Sequence, residues 1–159
     1  MAGSKARANV LFKEALKNNA SDAMRAQLNG SPLRGRPIKV LHIEDDASVA
    51  RCIARVLRAS GFDVASAATR EQAMQHLELH GFRPDLILTD FQLEMGVKGD
   101  AVVAEIASRL QFKPPTIMLT GSAGQQVADS KSFADRTLAK PVDIDVLLKE
   151  IENLLRERP

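Results

Sequence analysis

Ile38-Lys39-Val40-Leu41-His42-Ile43 is a nearly unbroken apolar run that ends in three acids, Glu44-Asp45-Asp46. A short run this rich in Val, Ile and Leu reads as a strand buried on both faces, the kind found in parallel sheets. Residues 86–89 and 116–119 read the same way, with shorter apolar runs at 62–65 and 137–139. Between them lie stretches near 47–59, 70–80, 99–110 and 123–132, and a last one near 143–156, whose apolar residues recur at helical spacing. Five strands alternating with five helices predict an α/β domain: a parallel sheet covered on both sides, with right-handed crossovers. Such sheets bind ligands beyond the carboxyl ends of their strands.

The strand ends carry unusual chemistry. The first runs into Glu44-Asp45-Asp46, the third ends in Thr89-Asp90, the fourth in Thr120-Gly121 and the fifth in Lys140-Pro141. Carboxylates, a hydroxyl and an ammonium therefore converge on one edge of the sheet. Clustered carboxylates repel one another and raise each other's pKa unless a cation sits among them. Hard oxygen ligands in small number suit Mg²⁺ (or Mn²⁺), which keeps several waters. A lysine and a hydroxyl beside such an ion are what a transferring phosphoryl group needs, because its equatorial oxygens carry charge. Asp46 also reads as the N-cap of the following helix.

The ordered set Glu44-Asp45, Asp90, Thr120 and Lys140-Pro141 resembles the receiver domains of two-component response regulators, over residues 38–156. The resemblance is to chemotaxis-type receivers and includes those attached to hybrid sensor histidine kinases. It implies a doubly wound, flavodoxin-like five-stranded parallel sheet of order 2-1-3-4-5. It also implies that Asp90 is a nucleophile that takes a phosphoryl group from a histidine kinase or a histidine phosphotransfer protein. Asp45 resembles the direct Mg²⁺ ligand, Glu44 an acid that holds the ion through water, and the backbone carbonyl of Gln92 a further ligand, beside Asp90 itself. Lys140 resembles the ammonium that contacts a phosphoryl oxygen, with Pro141 fixing the loop behind it. Thr120 resembles the hydroxyl that senses the phosphoryl group, and Gly121 leaves room for the donor. Such a chain signals through contacts with an unknown downstream protein, and it is a phosphoacceptor rather than an enzyme in the ordinary sense.

Three features depart from the family pattern. Glu94 stands where most receivers place a proline, and Gly99 lies nine residues after Asp90 rather than eight, so the intervening loop is one residue longer. Thr137 occupies the position of the switch aromatic, so no Tyr or Phe rotation reports the phosphoryl state. Gly121-Ser122-Ala123-Gly124 is a weak helix start, which makes the helix near 123–132 short.

The rest of the chain sets context. With 159 residues, 45% of them apolar and 26% charged, it holds one well-buried core. No apolar run approaches the ~20 residues that span a bilayer, and a single cysteine, Cys52, points to a reducing cytoplasm. Residues 1–36 carry seven Lys/Arg against two acids, which leaves 15 basic and 18 acidic side chains in residues 37–159. Residues 1–30 read as a helical extension and 31–37, rich in Gly and Pro, as a linker. That extension is expected to dock on a receiver surface, as in a homodimer, rather than on nucleic acid, since it holds only Phe12 and no dense basic cluster. His76 and His80, four apart, lack a third ligand for zinc. His42 reads as a hydrogen-bonded core histidine, and Cys52 as a small core hydrophobe. The sequence ends soon after the last helix, as expected of a stand-alone regulator or of a receiver taken from a hybrid kinase. Two other classes remain open: an aspartyl-nucleophile phosphatase, disfavoured because Gln92 stands where a second acid belongs, and a receiver-like interaction module without phosphotransfer.

Overall fold

The computed structural model describes residues 36–121 and 133–157. The expected helix near 123–132, the extension over 1–30 with its docking, and linker residues 31–35 lie outside the described residues. Five strands, β1 (Lys39–Ile43), β2 (Asp63–Ala67), β3 (Leu86–Asp90), β4 (Thr116–Thr120) and β5 (Arg136–Ala139), form one parallel sheet of order β2-β1-β3-β4-β5. This is the expected doubly wound order, which reverses between β1 and β3.

Among the described residues, four helices cover the sheet: α1 (Ala47–Ala59), α2 (Arg70–Glu78), α3 (Gly99–Leu110) and α4 (Ile144–Arg156). Successive strand residues point to opposite faces, so each central strand feeds two cores. Val40, Leu88, Ile117 and Leu119 pack against Ile53 and Leu57 of α1 and Leu147, Ile151 and Leu154 of α4. Leu41, Ile43 and Ile87 pack against Met74 and Leu77 of α2 and Val102, Val103 and Ile106 of α3. Every residue of β3 and β4 is buried, as double-sided covering requires.

The helices start where the sequence supplies caps. Asp46 accepts the amides of Ser48 and Val49, Thr69 that of Gln72, and Asp143 those of Asp145 and Val146. Strand β2 runs on to Ala67, past the polar Ser66 that interrupts its apolar run, because Ser66 and Ala67 pair in register with His42 and Ile43. At the amino ends of the strands, Arg36 clasps Asp85 with two 2.7 Å bonds, and Asp85 also accepts the Lys39 amide. The last positions of the expected linker are thus tied to the sheet. No helix of the described residues is long and apolar enough to cross a membrane.

Candidate functional site

The chain continues the sheet's bonding one step past the strand ends, and this places the polar groups. The Glu44 amide donates to the Ala67 carbonyl (3.0 Å), the Phe91 amide to Leu119 (2.8 Å) and the Lys140 amide to Thr120 (2.8 Å). Glu44, Asp90, Thr120 and Lys140 therefore stand on one edge in the order the sequence suggested. Carboxylate oxygens of Glu44, Asp45 and Asp90 lie within 4.8 Å of one another.

Lys140 bridges two of these acids, its Nζ lying 2.8 Å from Glu44 Oε2 and 2.6 Å from Asp90 Oδ2. The other oxygens are engaged from the backbone: Glu44 Oε1 accepts the Asp46 amide and Asp90 Oδ1 the Gln92 amide, each at 3.2 Å. Glu44 is 1% exposed, and burial raises its carboxyl above the usual range although Lys140 pulls the other way. Burial pushes the Lys140 ammonium down, but its bonds to Asp90 and Glu44 together outweigh this and hold its pKa high. Asp45, half-buried, has no hydrogen bond or ion pair among the described residues. It is the acid placed to offer an uncommitted oxygen.

The loop after Asp90 has a structure that the sequence did not disclose. Gln92 faces Lys98 in an isolated antiparallel bridge, flanked by bonds from the Leu93 amide to the Val97 carbonyl and from the Gly99 amide to the Phe91 carbonyl, both 2.9 Å. These bonds bypass the Gln92 carbonyl, which accepts no hydrogen bond among the described residues. A 3₁₀ turn, Glu94–Gly96, caps the loop, with Met95 in the left-handed region. Gly99, noted only for its spacing, presses on the backbone of Asp90: a Cβ there would lie 2.1 Å from the Asp90 carbonyl oxygen. Sequence spacing alone does not disclose this contact.

The remaining candidates are placed as follows. Thr120 is buried at the end of β4. A Cβ added to Gly121 would meet nothing within 4 Å among the described residues. Pro141 follows a cis peptide bond after Lys140 and is exposed. Thr137 lies half-buried on edge strand β5, opposite Met118. One expectation is corrected: His42 is a core histidine, fully buried, but neither ring nitrogen has a hydrogen-bond partner among the described residues. Both neighbours in the sheet ladder, Ser66 and Leu88, bond through their backbones and offer its ring nothing. His76 contacts the Ser66 carbonyl at 2.9 Å, and it joins no group of three potential metal ligands among the described residues. Cys52 is half-buried, and burial pushes its thiol up.

Residues 40–152 match the family model of the response regulator receiver domain. The transcriptional regulatory protein PrrA of Mycobacterium tuberculosis is 31% identical over 121 residues, which cover 76% of this chain and 51% of PrrA. The DNA-binding response regulator MtrA of the same species is 32% identical over 120 residues, 74% of this chain and 50% of MtrA. The chain spans about half the length of the curated relatives it matches. Among solved structures, a putative response regulator from Chloroflexus aurantiacus matches with a TM-score of 0.67 at 29% identity, over 77% of this chain and all of that one. The chemotaxis protein CheY4 of Vibrio cholerae matches with a TM-score of 0.67 at 26% identity, over 74% of this chain and 98% of its own.

Proposed function

The chain belongs to the response regulator receiver domain family, and we propose that it accepts a phosphoryl group on Asp90 from a histidine kinase or a histidine phosphotransfer protein. The observation that carries this reading is the Asp90 carboxylate held between the Lys140 ammonium and the Gln92 amide, beside two further acids. An Asp90 oxygen forms the bond to phosphorus as the phosphorus–nitrogen bond to the donor imidazole breaks, and the imidazole takes up a proton. Lys140, bonded to that carboxylate, and Thr120, at the end of the neighbouring strand, would meet the oxygens of the phosphoryl group. The phosphorylated form then acts through contacts with a downstream protein.

The donor set fits a small divalent cation. Three carboxylates in one cluster face a single lysine, so the site holds more negative than positive charge, and all its ligands are hard oxygens. Asp45, Asp90 and the Gln92 carbonyl would hold Mg²⁺ or Mn²⁺ directly. Glu44, the most deeply buried of the three acids, would act through water. Such an ion supplies charge neutralisation around the transferring group.

Two measurements test this reading. Incubation with acetyl phosphate and Mg²⁺ is expected to add the mass of one phosphoryl group to the wild-type chain and nothing to Asp90→Asn. Equal labelling of the two proteins would remove Asp90 from this role. In a calorimetric titration with Mg²⁺, Asp45→Ala is expected to lose binding altogether, whereas Glu44→Gln weakens it by roughly 10-fold, the scale of an outer-shell contact. Unchanged affinity in Asp45→Ala would place the ion elsewhere.

A further inference from the structure

Met95 is wholly exposed, more so than Leu79, Val146 or Phe112, the other large apolar side chains at the surface of the described residues. It also holds a left-handed backbone (φ 59°, ψ 25°), which side chains with a Cβ avoid, and Gly96 follows with φ 73°. Two local disadvantages thus coincide in one residue, and neither contributes to packing. Glycine at this position would relieve both.

The exposure does not come from a loose loop. Leu93 below the turn is buried, Val97 packs on the core shared by α2 and α3, and bonds from the Leu93 amide to Val97 and from the Val97 amide to Glu94 close the turn. Met95 is therefore a knob presented on a stiff base, in a loop that also carries the exposed charged residues Glu94 and Lys98. Holding a contact in place beforehand lowers the ordering cost of binding. An apolar side chain ringed by polar groups is the form taken by interface anchors.

Its loop is the one that follows Asp90. Gln92, three residues before Met95, donates its amide to Asp90 Oδ1. A phosphoryl group carried on a protein reaches Asp90 only if the donor's surface covers the residues around that carboxylate. We propose that Met95 anchors the phosphohistidine-bearing donor protein, seating in an apolar hollow beside the donor's histidine. This inference rests on the phosphoacceptor reading above. It concerns the donor's protein surface alone, since a small phosphodonor has nothing to reach Met95.

The test compares two donors on the same chain. Initial rates of phosphorylation are measured with acetyl phosphate and with whichever phosphorylated histidine kinase fragment, from a panel, labels the wild type fastest. Met95→Gly, which suits the left-handed backbone, is expected to keep the wild-type rate with acetyl phosphate and to lose roughly ten-fold or more with the kinase fragment. Met95→Leu, which restores an apolar knob, is expected to recover most of that loss. Equal rates from the kinase fragment for Met95→Gly and wild type would overturn the proposal. So would a lower solution mass of Met95→Gly without donor, because the knob would then serve a second copy of this chain. Failure of the wild type to be labelled by acetyl phosphate would instead strike the phosphoacceptor reading itself.

Discussion

Gly99→Ala is expected to slow phosphorylation of Asp90 by about 100-fold, the scale of a 1 Å misplacement of a reacting group. The added Cβ would lie 2.1 Å from the Asp90 carbonyl oxygen, 3.2 Å from its carbonyl carbon and 3.0 Å from Thr89 Oγ1. The two closest to the carboxylate are backbone atoms in a fully buried strand, so they cannot swing away as a side-chain tip would. Either β3 moves at Asp90 or α3 backs off. The second course breaks the 2.9 Å bond from the Gly99 amide to Phe91 and unpacks Val102, Val103 and Ile106. Overpacking of this kind costs about 1–3 kcal/mol, so urea unfolding is expected to show that loss as well. Gly121→Ala is the control, because its Cβ would meet nothing within 4 Å among the described residues, and its stability should stay within about 0.5 kcal/mol of wild type. If Gly99→Ala kept both the wild-type rate with acetyl phosphate and the wild-type stability, the contact would have relaxed without disturbing the carboxylate.

How much of this was legible depended on the range of the interaction. The strand Leu86–Asp90 could be read directly, because burial on both faces leaves an unbroken apolar run with no alternation to misread. The convergence of Glu44, Asp45, Asp90 and Lys140 followed from the rule for strand ends, since each lies on or just after a strand's last residue. The cap at Asp46 is local and was equally visible. What stayed hidden depends on contacts distant in sequence or on backbone angles. Arg36 counted as part of a basic arm until it met Asp85, 49 residues away. The extra residue in the loop after Asp90 was evident, but nothing in Glu94-Met95-Gly96 said that the methionine, as well as the glycine, takes a positive φ. Gly99 stood out only by its spacing, which says nothing of its contact with the Asp90 carbonyl. His42 was misjudged because buried polar groups are usually hydrogen-bonded, a rule that reports frequency and not the particular neighbours.

That exception makes His42 a handle on the domain's acid stability. Burial chiefly, helped by the positive charges of Lys140 and Arg58, lowers its pKa from 6.5 to about 4 in the folded chain. Between these values the unfolded chain binds the proton and the folded one does not. Stability is therefore complete above about pH 6.5 and falls as pH drops toward 4, by roughly 3 kcal/mol at 1.36 kcal/mol per pKa unit. Glu44 acts in the opposite sense, because burial raises its carboxyl in the folded chain and acid relieves that cost. The difference between wild type and His42→Leu removes the Glu44 contribution, which both proteins share. In urea unfolding followed from pH 8 to pH 4, His42→Leu is expected to lose about 3 kcal/mol less than wild type over that span. It is also expected to be more stable at pH 8 by about 1–3 kcal/mol, the cost of a buried polar group left unpaired. Parallel stability profiles for the two proteins would mean that the imidazole finds a partner or a route to water in solution.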